Sequence, residues 1–188
     1  MPAALSYEPP HTLAGFSGHP DTLAAMVQVA HGPRGEQSML VRSMLEEVVR
    51  SVQPKDYLGE ILAVRYWVTE RVRYANDPMH VEMVKDPQRL CEEIAARGQA
   101  VGDCDDIATL IGTMCLQLGR EAEYVVVGFG GAGSYSHVFA RVKEPRSGEW
   151  IVCDPVAGTD ERGMLERVST YYTVSLDEPA GAGMSMGI

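Results

Sequence analysis

Residues 102–110 read GDCDDIATL, and this stretch sets one cysteine among three aspartates at the start of a predicted helix. On a helical wheel, Cys104 shares one side with the apolar positions Ile107, Ile111, Met114, Cys115 and Leu118. The thiol therefore heads a stripe that should face the core, in the first turn, where free backbone N–H groups favour a thiolate. Asp105 and Asp106 are expected to point away from that stripe and to serve the helix N-terminus. Because their charges oppose a thiolate, a nearby imidazolium is expected to activate the sulfur.

The composition limits the class of protein. The 188 residues are 45% hydrophobic and 22% charged, which is typical of one globular domain. Lysine and arginine total 16 against 26 acidic residues, and no basic run is present, so no nucleic-acid partner is expected. No segment approaches the roughly 18 apolar residues of a membrane span, and the N-terminus lacks a signal-peptide pattern. We expect no membrane association and a cytoplasmic location, or an intravirion one for a phage-derived protein.

The chain divides into a helical half and a strand-rich half between two irregular ends. Prolines and glycines predict an extended arm over residues 1–20, and small residues predict a flexible tail over 177–188, leaving a single domain at 21–176. Helices are predicted at about 21–31, 36–52 and 56–73, from Pro87, and from Cys104 to Gly119. In the third helix, one apolar stripe should face the core: Leu58, Ile61, Val64, Val68 and Val72.

Four strands are predicted after these helices, from YVVVGF, YSHVFARV, EWIVCD and RVSTYYTVSL (residues 124–129, 135–142, 149–154 and 167–176). Helices followed by antiparallel strands indicate an α+β domain. His137 begins the second of these strands and Asp154 ends the third, and the two are equidistant from a turn centred between Pro145 and Arg146. In that register they lie directly opposite, with Cβ atoms about 4.5–5.5 Å apart. The aspartate would then orient the imidazole that activates Cys104.

These segments resemble the transglutaminase-like superfamily, which has a papain-like catalytic core. The resemblance rests on RVRYANDP, on DPQRL, on GDCDD opening a helix, on SHV starting a strand and on WIVCDP ending the next, within residues 57–156. It implies Cys104 as nucleophile, His137 as general acid and base, and Asp154 as the orienting partner. It also implies a central helix packed on an antiparallel sheet, and an oxyanion-hole residue shortly before the cysteine, for which Gln99 is the candidate.

The resemblance implies cysteine-dependent acyl transfer on a protein or peptide substrate through a thioester, with peptidase or amidase activity favoured because no calcium site or second-substrate site is visible. Two alternatives stay open. One is an amine-accepting transglutaminase. The other is a non-catalytic binding or virion-assembly module, since small members of this superfamily occur in bacteria and phage-like gene clusters and the N-terminal arm suits docking on a phage or assembly partner.

Other motifs predict no cofactor and no metal. GFGGAG at residues 128–133 fits a dinucleotide fingerprint, but a strand follows where that fingerprint needs a helix. Asp103 could begin a calcium loop, but its twelfth position is Met114 and not a glutamate. Cys91, Cys115 and Cys153 form no C-x-x-C pair and are interpreted as core residues with free thiols.

Overall fold

A computed structural model describes residues 11–13, 19–76, 82–128, 136–154, 170–177 and 184–187. These residues form helices α1 (His19–His31), α2 (Met39–Val49), α3 (Tyr57–Arg71), α4 (Pro87–Arg97) and α5 (Cys104–Gln117). The strands are β1 (His11–Leu13), β2 (Val72–Tyr74), β3 (Glu82–Val84), β4 (Ala100–Gly102), β5 (Ala122–Gly128), β6 (His137–Lys143), β7 (Trp150–Cys153), β8 (Thr170–Ser175) and β9 (Met184–Gly187). None of the helices in this part of the chain has the length and apolar character needed to cross a membrane.

Local capping signals set most of the helix ends. Ser38 and Asp56 accept backbone N–H bonds at the starts of α2 and α3. Asp86 does the same for α4, whose first residue is Pro87, a position that has no need of an N–H donor. Gly98 ends α4 in the left-handed conformation, with φ of 79°. The helices consequently begin and end within about three residues of the predicted bounds.

Among the described residues, the main sheet has five antiparallel strands in the order β7, β6, β5, β8, β9, with β7 and β9 at the ends of this order. Helix α5 packs against β5 and β6 of this sheet and, on its other sides, against α1, α2, α3 and α4. Two short pairings lie outside the sheet: β1 with β3, antiparallel, and β2 with β4, parallel. The α+β fold with a central helix on an antiparallel sheet is therefore confirmed.

The structure corrects two sequence predictions. Leu58 is 42% exposed, because it lies in the first turn of α3, whereas the other members of its stripe are buried. The second correction concerns Asp105 and Asp106, which are buried because α5 is covered on every side. Two described segments lie within the predicted ends of the chain: His11–Leu13 forms β1, and Met184–Gly187 forms a strand bonded to β8.

The predicted register of the β6–β7 hairpin is also wrong, by two residues. Ala140 pairs with Cys153 and Lys143 with Trp150, so the turn is centred between Arg146 and Ser147. Gly148, with φ of 74°, closes the turn, and its N–H bonds to the Glu144 carbonyl. By extension of this register, Asp154 lies opposite Phe139.

Candidate active site

The acidic residues of GDCDD have structural partners at the start of α5. Asp103 is the N-cap residue, and its side chain accepts from the Asp106 N–H. Asp106 in turn accepts from the backbone N–H of Lys85 at 2.7 Å and from its Nζ at 3.1 Å. A Cβ at Gly102 would lie 2.9 Å from the Asp106 Cβ, so only glycine fits there. The motif therefore fixes the helix start and ties it to the segment before α4.

Cys104 is the first residue of α5. All four cysteines are free thiols; Cys104 is partly exposed, whereas the other three are buried. Its sulfur accepts hydrogen bonds from the backbone N–H groups of Val138 and Asp105, which lower the pKa of the thiol. Burial has the larger effect, and with the charges of Asp105 and Asp103 it raises the pKa of Cys104 to about 12. This environment by itself holds the group as a thiol, so its activation needs a base.

His137 and Asp154, the residues predicted to supply this base and its orienting partner, form a hydrogen-bonded pair. The Nε2 atom of His137 lies 2.8 Å from Oδ2 of Asp154, whose side chain is fully buried. The predicted contact between these side chains is present, although it runs diagonally between the strands. Because Nε2 faces the carboxylate, Nδ1 is the ring nitrogen left for another partner. Val138, whose backbone N–H bonds the Cys104 sulfur, is the next residue of the same strand, so β6 contacts both the thiol and the Asp154 carboxylate.

Tyr74 is a site residue that the motif analysis did not single out. The parallel pairing of β2 with β4 sets Tyr74 beside Gly102, two residues before the cysteine. Its side chain hydrogen-bonds Cys104. Partial burial, followed by the charges of Cys104, Asp103 and Asp105, raises the pKa of Tyr74 to about 12. The phenol therefore stays protonated and donates to the sulfur. The sequence signal that could have identified Tyr74 is its place in RVRYANDP, one of the segments that carry the family resemblance.

Gln99 lies farther from the sulfur along the chain. It is exposed, in the short connection between Gly98 and the first residue of β4. The three extended residues of β4 span about 10 Å and separate it from Asp103. Its predicted role in the oxyanion hole stays a prediction.

One acidic cluster lies beside the cysteine. Carboxylate oxygens of Asp103, Asp105 and Asp106 lie within 4.8 Å of one another, the geometry of a potential metal site. Two of these carboxylates already have protein partners, since Asp103 caps α5 and Asp106 pairs with Lys85. The bonds of Asp103 and Asp106 make the cluster part of the start of α5.

Comparisons with known proteins bear on the family and the fold of the chain. Residues 42–155 match the family model of the transglutaminase-like superfamily. The fold is similar to that of a candidate protease from Parabacteroides distasonis (TM-score 0.54, 14% identity), covering 82% of this chain and 29% of that one. It is also similar to a candidate cysteine protease from Cytophaga hutchinsonii (TM-score 0.51, 17% identity), covering 92% of this chain and 55% of the other. The chain thus spans well under two thirds of either protein. No curated protein matches it.

Proposed function

The chain belongs to the transglutaminase-like superfamily, and we propose that it is a cysteine-dependent peptidase or amidase with Cys104, His137 and Asp154 as its catalytic residues. One observation carries the proposal. His137 bonds the buried Asp154 through Nε2, while the next residue of its strand, Val138, donates to the Cys104 sulfur. These contacts support a nucleophile, a base and an orienting carboxylate contributed by three separate segments.

The raised pKa of the thiol points to general-base catalysis rather than a standing ion pair. As Cys104 Sγ bonds to the amide carbon, its proton passes to Nδ1 of His137, and Asp154 stabilises the resulting imidazolium. The imidazolium then gives that proton to the leaving amine as the C–N bond breaks, which leaves a thioester on Cys104. A water molecule, deprotonated by the same imidazole, attacks the thioester, releases the acid and restores the thiol.

The oxyanion of the tetrahedral intermediate forms on the carbon bonded to sulfur, within reach of donors that already surround Sγ. We assign it the backbone N–H of Cys104 and the hydroxyl of Tyr74. The Tyr74 contact with Cys104 supports this choice over Gln99, which lies beyond β4.

Alkylation of the protein at neutral pH, with mass-spectrometric localisation of the label, tests the proposal. We expect iodoacetamide to modify Cys104 faster than Cys91, Cys115 and Cys153, and His137→Ala to slow it by about 100-fold, the usual contribution of a general base. His31→Ala is the matched control, because His31 has its own bonds, to Glu36 and the Leu176 carbonyl, at the other end of the protein. A Cys104 rate independent of His137 contradicts the proposal and favours a binding module.

A second experiment distinguishes water from an amine as the acyl acceptor. The protein is incubated with a glutamine-containing peptide and a labelled primary amine, with Cys104→Ala as the control. We expect deamidation or cleavage to exceed amine incorporation. Incorporation in excess of hydrolysis would make the protein a transglutaminase.

A further inference from the structure

Arg65 is a buried charge in the middle of α3. The residue is 5% exposed and lies one position after Val64, a fully buried core residue. None of the carboxylates in the described part of the chain lies within ion-pair distance of its guanidinium. Its Nε is also buried without a hydrogen-bond partner there. Burying a guanidinium without a carboxylate partner costs roughly several kcal/mol. The presence of Arg65 at this position therefore needs an explanation beyond packing.

A hydrogen bond from Arg65 leads to the candidate active site. Arg65 Nη2 donates to the main-chain carbonyl of Asp154 at 3.4 Å, which joins residues 89 positions apart in the sequence. A second observation places the charge in the same region, since Arg65 lowers the pKa of Cys153, partly offsetting the increase that burial causes. The guanidinium therefore lies at the end of β7, against the residue whose carboxylate bonds His137.

That end of β7 lies beside a single strand of the described sheet. The strand is four residues long, and among the described strands β6 is its neighbour. Strand ends with one neighbour fray more easily than central strands. The Oδ2 of Asp154 must nevertheless stay within hydrogen-bond distance of His137 Nε2, and a displacement of about 1 Å can cost on the order of 100-fold in rate.

We propose that Arg65 is a positioning residue for the catalytic pair, holding the Asp154 main chain so that the carboxylate reaches His137. Arg65 contacts Asp154 through the backbone and not the reacting atoms. The inference rests on the proposed function, because it assumes that the His137–Asp154 pair activates Cys104.

A double-mutant cycle on the Cys104 alkylation rate tests the inference. We expect Arg65→Met to slow alkylation about tenfold, as loss of orientation predicts, and Arg65→Lys, which keeps a donor and the charge, to recover most of the rate. In an Asp154→Ala background, Arg65→Met should have no further effect, because the group that it positions is gone. An equal slowing in both backgrounds would overturn the inference.

Arg120→Met is the matched control. Arg120 also anchors α3, through Glu60 and the face of Tyr57, but contacts no residue of the proposed triad. We expect it to lower stability while leaving the alkylation rate of the folded protein within about twofold of the wild type. If Arg65→Met does not fold, Arg65→Gln, which removes the charge but keeps a polar side chain, takes its place in the cycle, and equal slowing in both backgrounds is again the contradictory outcome. A wild-type rate that does not depend on His137 contradicts the proposed function itself, whereas a His137-dependent rate untouched by Arg65 contradicts the positioning role alone.

Discussion

His137 reaches Asp154 diagonally across the β6–β7 hairpin: Asp154 lies opposite Phe139 in the strand register, and its Oδ2 is 2.8 Å from His137 Nε2. The diagonal arrangement fixes which ring nitrogen serves which partner. With Nε2 committed to the buried carboxylate, Nδ1 is available to the thiol of Cys104, whose sulfur is bonded by the neighbouring Val138 N–H. The proposed base and the proposed nucleophile are thus both bonded to groups on or beside β6.

Substitution of Asp154 should show how much of the reactivity depends on this bond. We expect Asp154→Ala to slow Cys104 alkylation by about 100-fold, since the imidazole loses both its orientation and the charge that stabilises its protonated form. Asp154→Asn should lose less, because the amide oxygen still accepts from Nε2–H. Glu144→Gln is the control, since that carboxylate lies in the turn of the same hairpin and accepts from Arg146 and Ser147. Equal rates for wild type and Asp154→Ala would remove Asp154 from the catalytic set.

The choice between Tyr74 and Gln99 as oxyanion donor can be made with two probes. Acylation by p-nitrophenyl acetate passes through an oxyanion, whereas alkylation by iodoacetamide does not. We expect Tyr74→Phe to slow acylation by about 100-fold, the usual cost of one oxyanion donor, with a far smaller effect on alkylation. Gln99→Ala should leave both rates near those of the wild type. The reverse pattern, with acylation dependent on Gln99, would restore the prediction made from the sequence.

Much of the fold could be predicted because its signals are local. Asp86 before Pro87, and Gly98 after the last turn, mark the ends of α4 in the sequence as clearly as in the structure. The hairpin register could not be set this way, because the turn depends on Gly148 adopting a positive φ rather than on Pro145 at its centre. The error was two residues, which kept His137 and Asp154 on the same side of the strands and within reach.

Tyr74 and Arg65 were missed for a different reason. The pairing of β2 with β4 joins strands of three residues, which are too short to show a periodic pattern. No hydrophobic periodicity in the sequence therefore predicts that Tyr74 lies beside Gly102. From the sequence, the charge of Arg65 favours a solvent-facing position on α3. In the structure the residue is buried, because β7 packs against this helix. Long-range contacts decide both positions.

The burial of Asp106 predicts a pH-dependent stability. Burial, followed by the charge of Asp103, raises the pKa of Asp106 to about 7 despite the lowering effect of Lys85. Between the ordinary value of 3.8 and about 7, the folded protein therefore binds more protons at this site than the unfolded chain does. This site makes the free energy of unfolding fall as the pH rises through that range.

The change in the free energy of unfolding is measured by urea unfolding at about pH 4.5 and about pH 7.5, near the two ends of that range. We expect the stability advantage of the wild type over Asp106→Asn to shrink as the pH rises, because the variant has no group that titrates at this position. Asp56→Asn is the control, as Asp56 is an exposed cap at the start of α3. Parallel pH dependences for wild type and Asp106→Asn would show that Asp106 titrates alike in the folded and unfolded chains.

The close packing of α5 on the sheet predicts that Gly112 accepts no side chain. A Cβ there would lie 2.8 Å from Cδ1 of Leu176 and 3.2 Å from Cε1 of Tyr124, and both of those residues are fully buried. Alanine gains up to about 1 kcal/mol of helix propensity over glycine, but overpacking a core costs about 1–3 kcal/mol. We expect Gly112→Ala to lower the free energy of unfolding by up to about 2 kcal/mol, the difference between these effects, measured in urea. Adding Leu176→Val, which removes the clashing methyl group, should lower the free energy of unfolding less in the Gly112→Ala background than in the wild type. Strictly additive losses of stability would show instead that the helix moves away from the sheet.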